Sequence, residues 1–347
     1  MDLSKIFIKD ACPTKTGGQA VLEGIMMKGP ARNAVCVRLP DDTLYIKTEE
    51  NKKASRIANW PFIRGVFVFV ASLVQGMKTL MFSADVIEGY EGEGAAEFED
   101  DKMTQWLEKK FGEKGAWNVM LYTSVIISIL FTVVIFVIGP TWVVNLAKHI
   151  TMNEIILNLI EGVLRIALFV LYVVLISRME DIRRVFQYHG AEHKTIHCYE
   201  NGLELTPENA QQFYTLHPRC GTSFLVFVMV IALALFSFLG WPNLFWRITS
   251  RILLLPVIAG LSYELLRWAG RSDSWIVKIL SMPGLWLQKL TTNEPDESQL
   301  EVAIAAMEAV IAEEGDYGIG RCDKKGHIIE HIDFTDKEKK VESEEDK

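Results

Sequence analysis

Three histidines recur at four-residue spacing in Tyr188-His189-Gly190-Ala191-Glu192-His193-Lys194-Thr195-Ile196-His197-Cys198. In a helix that spacing stacks them along one face, one turn above the next. Two imidazoles at i and i+4 can grip one metal ion. The first pair with its acid reads H-x-x-E-H, the inverted zincin order, in which the histidines bind zinc and the glutamate is general base on water. A metal ion lowers the pKa of that water toward ~7, so hydroxide is available at neutral pH. Downstream, His217-Pro218-Arg219-Cys220-Gly221 has the shape of a zinc-knuckle turn whose first cysteine is replaced by histidine. The candidate ligands are therefore His189, His193, His197, His217 and Cys220, with Glu192 as candidate base. Positions i and i+8 lie about two turns apart, so the three histidines need not share one ion. His193 belongs to both i, i+4 pairs and is the firmest ligand. The competing reading is that these histidines hydrogen-bond loops or headgroups and that Cys220 is a buried apolar residue.

These residues must be positioned by the elements around them, and those elements are largely apolar. Half of the 347 residues are hydrophobic while 23% are charged, which implies apolar spans alongside charged soluble parts. Four stretches approach the ~20 apolar residues that a spanning helix needs. They run over 117–139, 154–177, 222–240 and 245–268. The second carries Glu161 and Arg165 at i, i+4, the favourable order for a pair. The fourth carries Arg247, Arg251, Glu264 and Arg267. Glu264, an acid at membrane depth, is a candidate additional ligand or polar membrane site, with an ion pair to Arg267 or another arginine as its alternative. A fifth stretch, 61–84, contains Arg64, Gly65, Gln75, Gly76 and Lys78. It reads as a helix lying at the interface or packed on the bundle, with Trp60-Pro61-Phe62 as its anchor.

Basic residues flank the histidine stretch and the N-terminal region, whereas the loop before the second span holds only Lys148. Four spans then place both termini and the histidine loop in the cytoplasm. The expected architecture is mainly α, an integral membrane protein. It comprises a cytoplasmic β-rich element (1–59), the fifth apolar helix with an acidic loop (60–116), a four-helix membrane domain carrying the His-rich loop 178–221 (117–282), a cytoplasmic C-terminal helical region (283–322), and a charged, disordered tail (323–347). Within the first element, Ala34–Leu39 and Thr43–Lys47 flank Pro40-Asp41-Asp42 as a hairpin. Gly17, Gly18, Glu23 and Gly24 read as a turn between strands or an anion cradle. Thr291-Thr292-Asn293-Glu294-Pro295 reads as a helix start, and helical apolar spacing continues through Leu300, Ile304, Met307 and Ile311.

The net charge of -8 argues against a general nucleic-acid binder. The five cysteines are odd in number and widely spaced, which suits a reducing cytoplasm better than a disulfide framework. No signal peptide and no phosphate-binding P-loop are read.

Several motifs together resemble the YqhQ-like family of bacterial membrane proteins. They are Gly17–Pro30, Pro61-Phe62-Ile63-Arg64-Gly65, His189-Gly190-Ala191-Glu192-His193-Lys194, His217–Phe224 and Leu290–Pro295. The chain departs at Asn293, where the family's T-T-R-E-P run has arginine, which weakens any anion-binding role there. The resemblance implies a metal-dependent enzyme, and it implies no substrate. The leading expectation is a zinc-dependent membrane hydrolase acting at the cytoplasmic face on a lipid-linked or membrane-protein substrate, in contact with membrane lipid. One alternative is a scaffold or regulator with a closed structural zinc site of His193, His197, His217 and Cys220. The other is a transporter using Glu161, Arg165, Arg251 and Glu264 as a polar path.

Overall fold

In a computed structural model, residues 6–7, 14, 16–51, 60, 63–91, 106, 109–110, 112–147, 153–239, 244–269, 274–311, 319–322 and 328–332 are described. The protein is mainly helical. The chain begins with a four-stranded antiparallel sheet in the order β1 (Gly17–Val21), β2 (Gly24–Lys28), β3 (Arg32–Arg38), β4 (Leu44–Glu50). The expected glycine-rich strand region is a hairpin of two strands. Its two-residue turn puts Glu23 at φ 48, the left-handed conformation that a tight hairpin of this kind requires. The β3–β4 hairpin turns where expected. There the Asp41 carboxylate accepts from the backbone N and Oγ1 of Thr43, at 3.0 and 2.6 Å.

Ten helices follow among the described residues. They are α1 (Ile63–Glu91), α2 (Glu113–Val133), α3 (Gly139–Ala147), α4 (Glu154–Ile176), α5 (Glu180–Glu200), α6 (Pro207–Gln211), α7 (Gly221–Ser237), α8 (Leu244–Ala269), α9 (Trp275–Thr291) and α10 (Glu297–Ile311). A π-helical turn over Val134–Ile138 joins α2 to α3. The charged stretch expected to be disordered instead contributes β6 (Ile328–Ile332), which pairs antiparallel with β5 (Ile319–Cys322). Isoleucines at 328, 329 and 332 give this piece the β-branched character that a strand favours. Residues 323–327 and 333–347 of the tail, Pro61-Phe62, Lys148 and most of the acidic loop lie outside the described residues.

The chain forms two compact units. One comprises 1–87, 176–227 and 259–347; the other comprises 88–175 and 228–258. The larger apolar core of the first is shared by Ile25 and Met27 of the sheet, Tyr188 and Ile196 of α5, and Leu300 and Met307 of α10. Helix α5 has a polar sequence, yet every residue from Gly190 to Glu200 is buried. The sheet and α10 enclose it, so its polar side chains must find partners inside the protein.

The second unit holds a buried ion cluster. Glu161 pairs with Arg165 one turn on, as expected, and also takes both terminal nitrogens of Arg251, at 2.7 and 2.9 Å. Thr141 donates to the same carboxylate at 2.9 Å.

Four stretches are long and apolar enough to cross a membrane: Ile63–Ile87, Tyr122–Leu146, Glu154–Ile176 and Thr249–Ala269. This set differs from the expected one at two places. The stretch expected to lie flat or pack, 61–84, falls in a helix long and apolar enough to cross. The expected span over 222–240 is shortened to α7, whose 17 residues rise ~26 Å at 1.5 Å each. Helix α7 closes early because the backbone N–H groups of Phe238 and Leu239 bond back three residues, to Leu235 and Phe236, which tightens its last turn.

Candidate metal centre

The centre is assembled from three segments of the first unit: α5, the turn before α7, and the end of α9. Helix α5 places His189 and His193 on one face with ring centroids 4.5 Å apart. His189 Nδ1 lies 2.8 Å from the Thr291 carbonyl, and His193 Nδ1 lies 2.5 Å from the Thr215 carbonyl. A carbonyl can only accept, so both imidazoles carry hydrogen on Nδ1 and turn Nε2 inward. This is how metal-binding histidines are commonly oriented. The Thr291 carbonyl is available because it ends α9, where the last carbonyls lack intrahelical partners.

Cys220 completes the group. Its Sγ lies 3.2 Å from His189 Nε2, and the ligand atoms of His189, His193 and Cys220 all fall within 4.8 Å of one another. His193 Nε2 is buried and has no hydrogen-bond partner among the described residues. The backbone N and Oγ1 of Thr222 point at the Cys220 sulfur from 3.5 and 3.2 Å. Burial alone would raise the Cys220 thiol, but the imidazoles of His193 and His189 outweigh it and hold the thiol well below its usual value. Burial would conversely lower His189, and the adjacent sulfur pushes it up. A thiolate facing an imidazole that holds a proton is an arrangement in which a divalent cation can replace the proton. Two imidazole nitrogens and one thiolate are a donor set suited to zinc.

Glu192 is 5% exposed and packs on β1. A Cβ on Gly18 would stand 2.9 Å from the Glu192 carboxyl carbon and 2.8 Å from the Met26 carbonyl oxygen. Only glycine admits the acid here, so Gly18 is a packing position for Glu192 within the strand. Burial raises the Glu192 pKa, and the neighbouring His193 and His189 offset this only in part.

His197 and His217 were expected as ligands, and the structure places their nitrogens elsewhere. His197 Nε2 donates to the Leu216 carbonyl at 3.0 Å, and the ring stacks on Phe213. His217 sits 5.6 Å from His193, ring to ring, but its Nε2 faces Glu200 at 3.7 Å. Burial lowers His197 to about 4 and His217 to about 3. Glu200 is lowered to about 2: burial opposes that shift, and His217 and Arg219 overcome it. Arg219 grips both Glu200 oxygens and reaches the Thr14 carbonyl at 3.3 Å. The knuckle turn therefore sends Cys220 to the centre and His217 to an adjacent ionic brace. Gln288 ties the turn down through both backbone groups of His217, at 2.8 and 2.9 Å.

Glu264 pairs with Arg64 and is not part of the group formed by His189, His193 and Cys220. Residues that the sequence did not single out include Thr215, Thr222 and Gln288. Thr291 was read as part of a helix start and instead ends α9. Gly190 allows the close approach of α5 to that segment, since a Cβ there would meet the Asn293 carbonyl oxygen at 2.0 Å.

The fold and site together define a helical protein with membrane-length apolar segments and a buried His/Cys group able to hold a metal. Residues 60–313 match the family described as "Protein of unknown function (DUF1385)", and the chain belongs to that family. It is 34% identical over 311 residues to "Uncharacterized protein YqhQ" of Bacillus subtilis (strain 168), covering 87% of this chain and 94% of the relative. No solved structure matches the chain.

Proposed function

We propose that the protein is a zinc-dependent hydrolase of the cytoplasmic membrane. In this reading His189, His193 and Cys220 hold the ion, and Glu192 is the general base. The observation that carries it is the convergence of two imidazoles, each locked by a backbone carbonyl, on one thiol, with a buried His193 nitrogen left to be satisfied. Three protein ligands among the described residues would leave a fourth position for water, as in catalytic zinc sites. When bound, zinc supplies Lewis acidity and acidifies water. Glu192, one residue from a ligand and braced by β1, accepts the proton at its carboxylate and can return it to a leaving group. The substrate class that fits best is lipid-linked or a membrane protein, with both termini on the cytoplasmic side.

The scaffold reading has less support, because its closed site needs His197 and His217 to leave Leu216 and Glu200. The transporter reading has less as well, because its four residues fall into two ion-paired groups, one in each unit.

The test is metal analysis of detergent-purified protein. Wild type should carry about one equivalent of zinc, and His193→Ala and Cys220→Ser should lose it. Glu192→Gln should keep the metal yet fail to complement a chromosomal deletion. A metal-free wild type, or unchanged zinc in His193→Ala, sinks the proposal.

A further inference from the structure

The shared core constrains the membrane path of the chain. The sheet precedes α1, α5 follows α4, and α10 follows α9, yet all three pack into one core. Side-chain ties repeat the point: Arg184 of α5 pairs with Glu23, and Arg38 of β3 pairs with Glu301 of α10 at 2.7 Å. Elements of one water-soluble core lie on one side of a bilayer. The chain must therefore cross an even number of times between the sheet and α5, and again between α5 and α10.

Length and hydropathy alone violate this rule. They allow three crossings before α5 (Ile63–Ile87, Tyr122–Leu146, Glu154–Ile176) and one after it (Thr249–Ala269). One of the first three must turn back, and a further helix must cross in the second interval. Helix α1 is the least hydropathic of the three, at 1.6 against 2.4 and 2.5. Its contacts also tie its start to α7 and α8 and its later turns to the sheet. Gly65 lies against Gly260 and Tyr263, and Phe69 against Phe224. The Gln19 side chain donates to the Gly76 carbonyl at 3.3 Å, Ser83 accepts from Leu22 N at 3.3 Å, and Phe82 meets Tyr45 and Lys47 of β4. In the second interval, α7 is the remaining apolar helix, and its 17 residues are at the lower limit for a span.

We infer that α1 is a one-sided membrane helix: it beds its exposed apolar face in a single leaflet and returns the chain to the side it came from, while α2–α3, α4, α7 and α8 make the four crossings. The face that enters the leaflet carries Phe67, Val70, Leu73, Val74 and Met77, each about half exposed or more in the folded chain. The sheet contacts at Gly76, Phe82 and Ser83 hold the other face on the protein. This inference is independent of whether the centre holds metal.

Sidedness labelling of the full chain in cells tests it. Cys12 and Cys322 are replaced by serine, and the buried Cys36, Cys198 and Cys220 are kept. Single cysteines are then placed before α1 (Asp41→Cys), after it (Glu97→Cys) and between α3 and α4 (Thr151→Cys). An impermeant maleimide should reach the first two only after permeabilisation and should reach Thr151→Cys in intact cells. Labelling of Glu97→Cys from the side opposite to Asp41→Cys would make α1 a span and overturn the inference; Thr151→Cys on the same side as Asp41→Cys would overturn the crossing scheme. A nitroxide at Leu73→Cys gives an independent depth. It should sit ~5–10 Å below the headgroups, as in an interfacial helix. A depth of ~15 Å, the bilayer centre, would refute it.

Discussion

Substituting Gly18 by alanine tests whether Glu192 is held against β1. The new methyl would stand 2.8 Å from the Met26 carbonyl oxygen, 2.9 Å from the Glu192 carboxyl carbon and 3.0 Å from its Cγ. Carbon contacts of this kind relax toward 3.5 Å or more, so one neighbour must move by roughly half an ångström. Neither moves easily. Met26 sits in the β1–β2 ladder, where Gly18 pairs with Met27, and Glu192 is enclosed. Overpacking by one methyl in such a place costs about 1–3 kcal/mol. Gly17 is the internal control, because a Cβ there meets nothing within 4 Å; Gly17→Ala should stay within about 0.5 kcal/mol of wild type. Denaturant melts of the detergent-solubilised variants, followed by tryptophan fluorescence, read the difference. Zinc content should survive in Gly18→Ala, since its methyl does not touch a ligand, while function falls with the displaced acid. Equal stability of Gly17→Ala and Gly18→Ala, with full function in both, would show that Glu192 does not occupy this position.

Other perturbations probe the rest of the molecule. Thr222→Val removes the hydroxyl 3.2 Å from the Cys220 sulfur. It should weaken zinc binding about 10–100-fold, the usual scale for such supporting groups, as read by competition with a chromophoric chelator. Glu161→Ala leaves Arg165 and Arg251 without the carboxylate they share; a loss of about 3–5 kcal/mol is expected, and an unchanged melt would contradict the cluster's role. Acid should destabilise the chelator-treated protein in two stages. His217 and His197 have lowered folded pKa values, so the stability that goes with their neutral forms is complete above pH ~6.5 and drains as pH falls through about 4 and 3. Glu200, held near 2, contributes above pH ~4.3 and loses that contribution as pH falls toward 2. Glu200→Gln should flatten the second stage, and His217→Gln the first.

The hairpin over 34–47 and the helices at 154–176 and 297–311 could be read from local patterns because turn chemistry and apolar periodicity are local. The i, i+4 spacing likewise put His189 and His193 on one face, where their rings stand 4.5 Å apart. The choice among candidate ligands could not be read this way. Whether His197 and His217 face an ion depends on the Leu216 carbonyl and on Glu200, and the turn of 215–220 brings those contacts to α5. Thr215 and Thr291 act through backbone carbonyls, which leave no trace in side-chain identity. Asparagine at 293, where arginine was expected, gave no hint that Thr291, two residues before it, ends a helix. A window average of hydropathy likewise cannot register that Gly76 and Ser83 are bonded to β1 and the turn after it.

The same long-range contacts bind the centre to the fold. His189 depends on the end of α9, His193 on the segment before α7, and Cys220 on a turn pinned by Gln288 of α9. Misplacing any one segment would leave a buried thiolate beside imidazoles without their orienting carbonyls. A cation that binds only the assembled arrangement stabilises the native state by its binding free energy. Zinc should therefore raise the melting point of wild type and leave that of Cys220→Ser unchanged. Rigid support of the candidate ligands is what a metal centre of defined geometry requires. Metal binding at the site and the stability of the surrounding core would then be measured by one and the same titration.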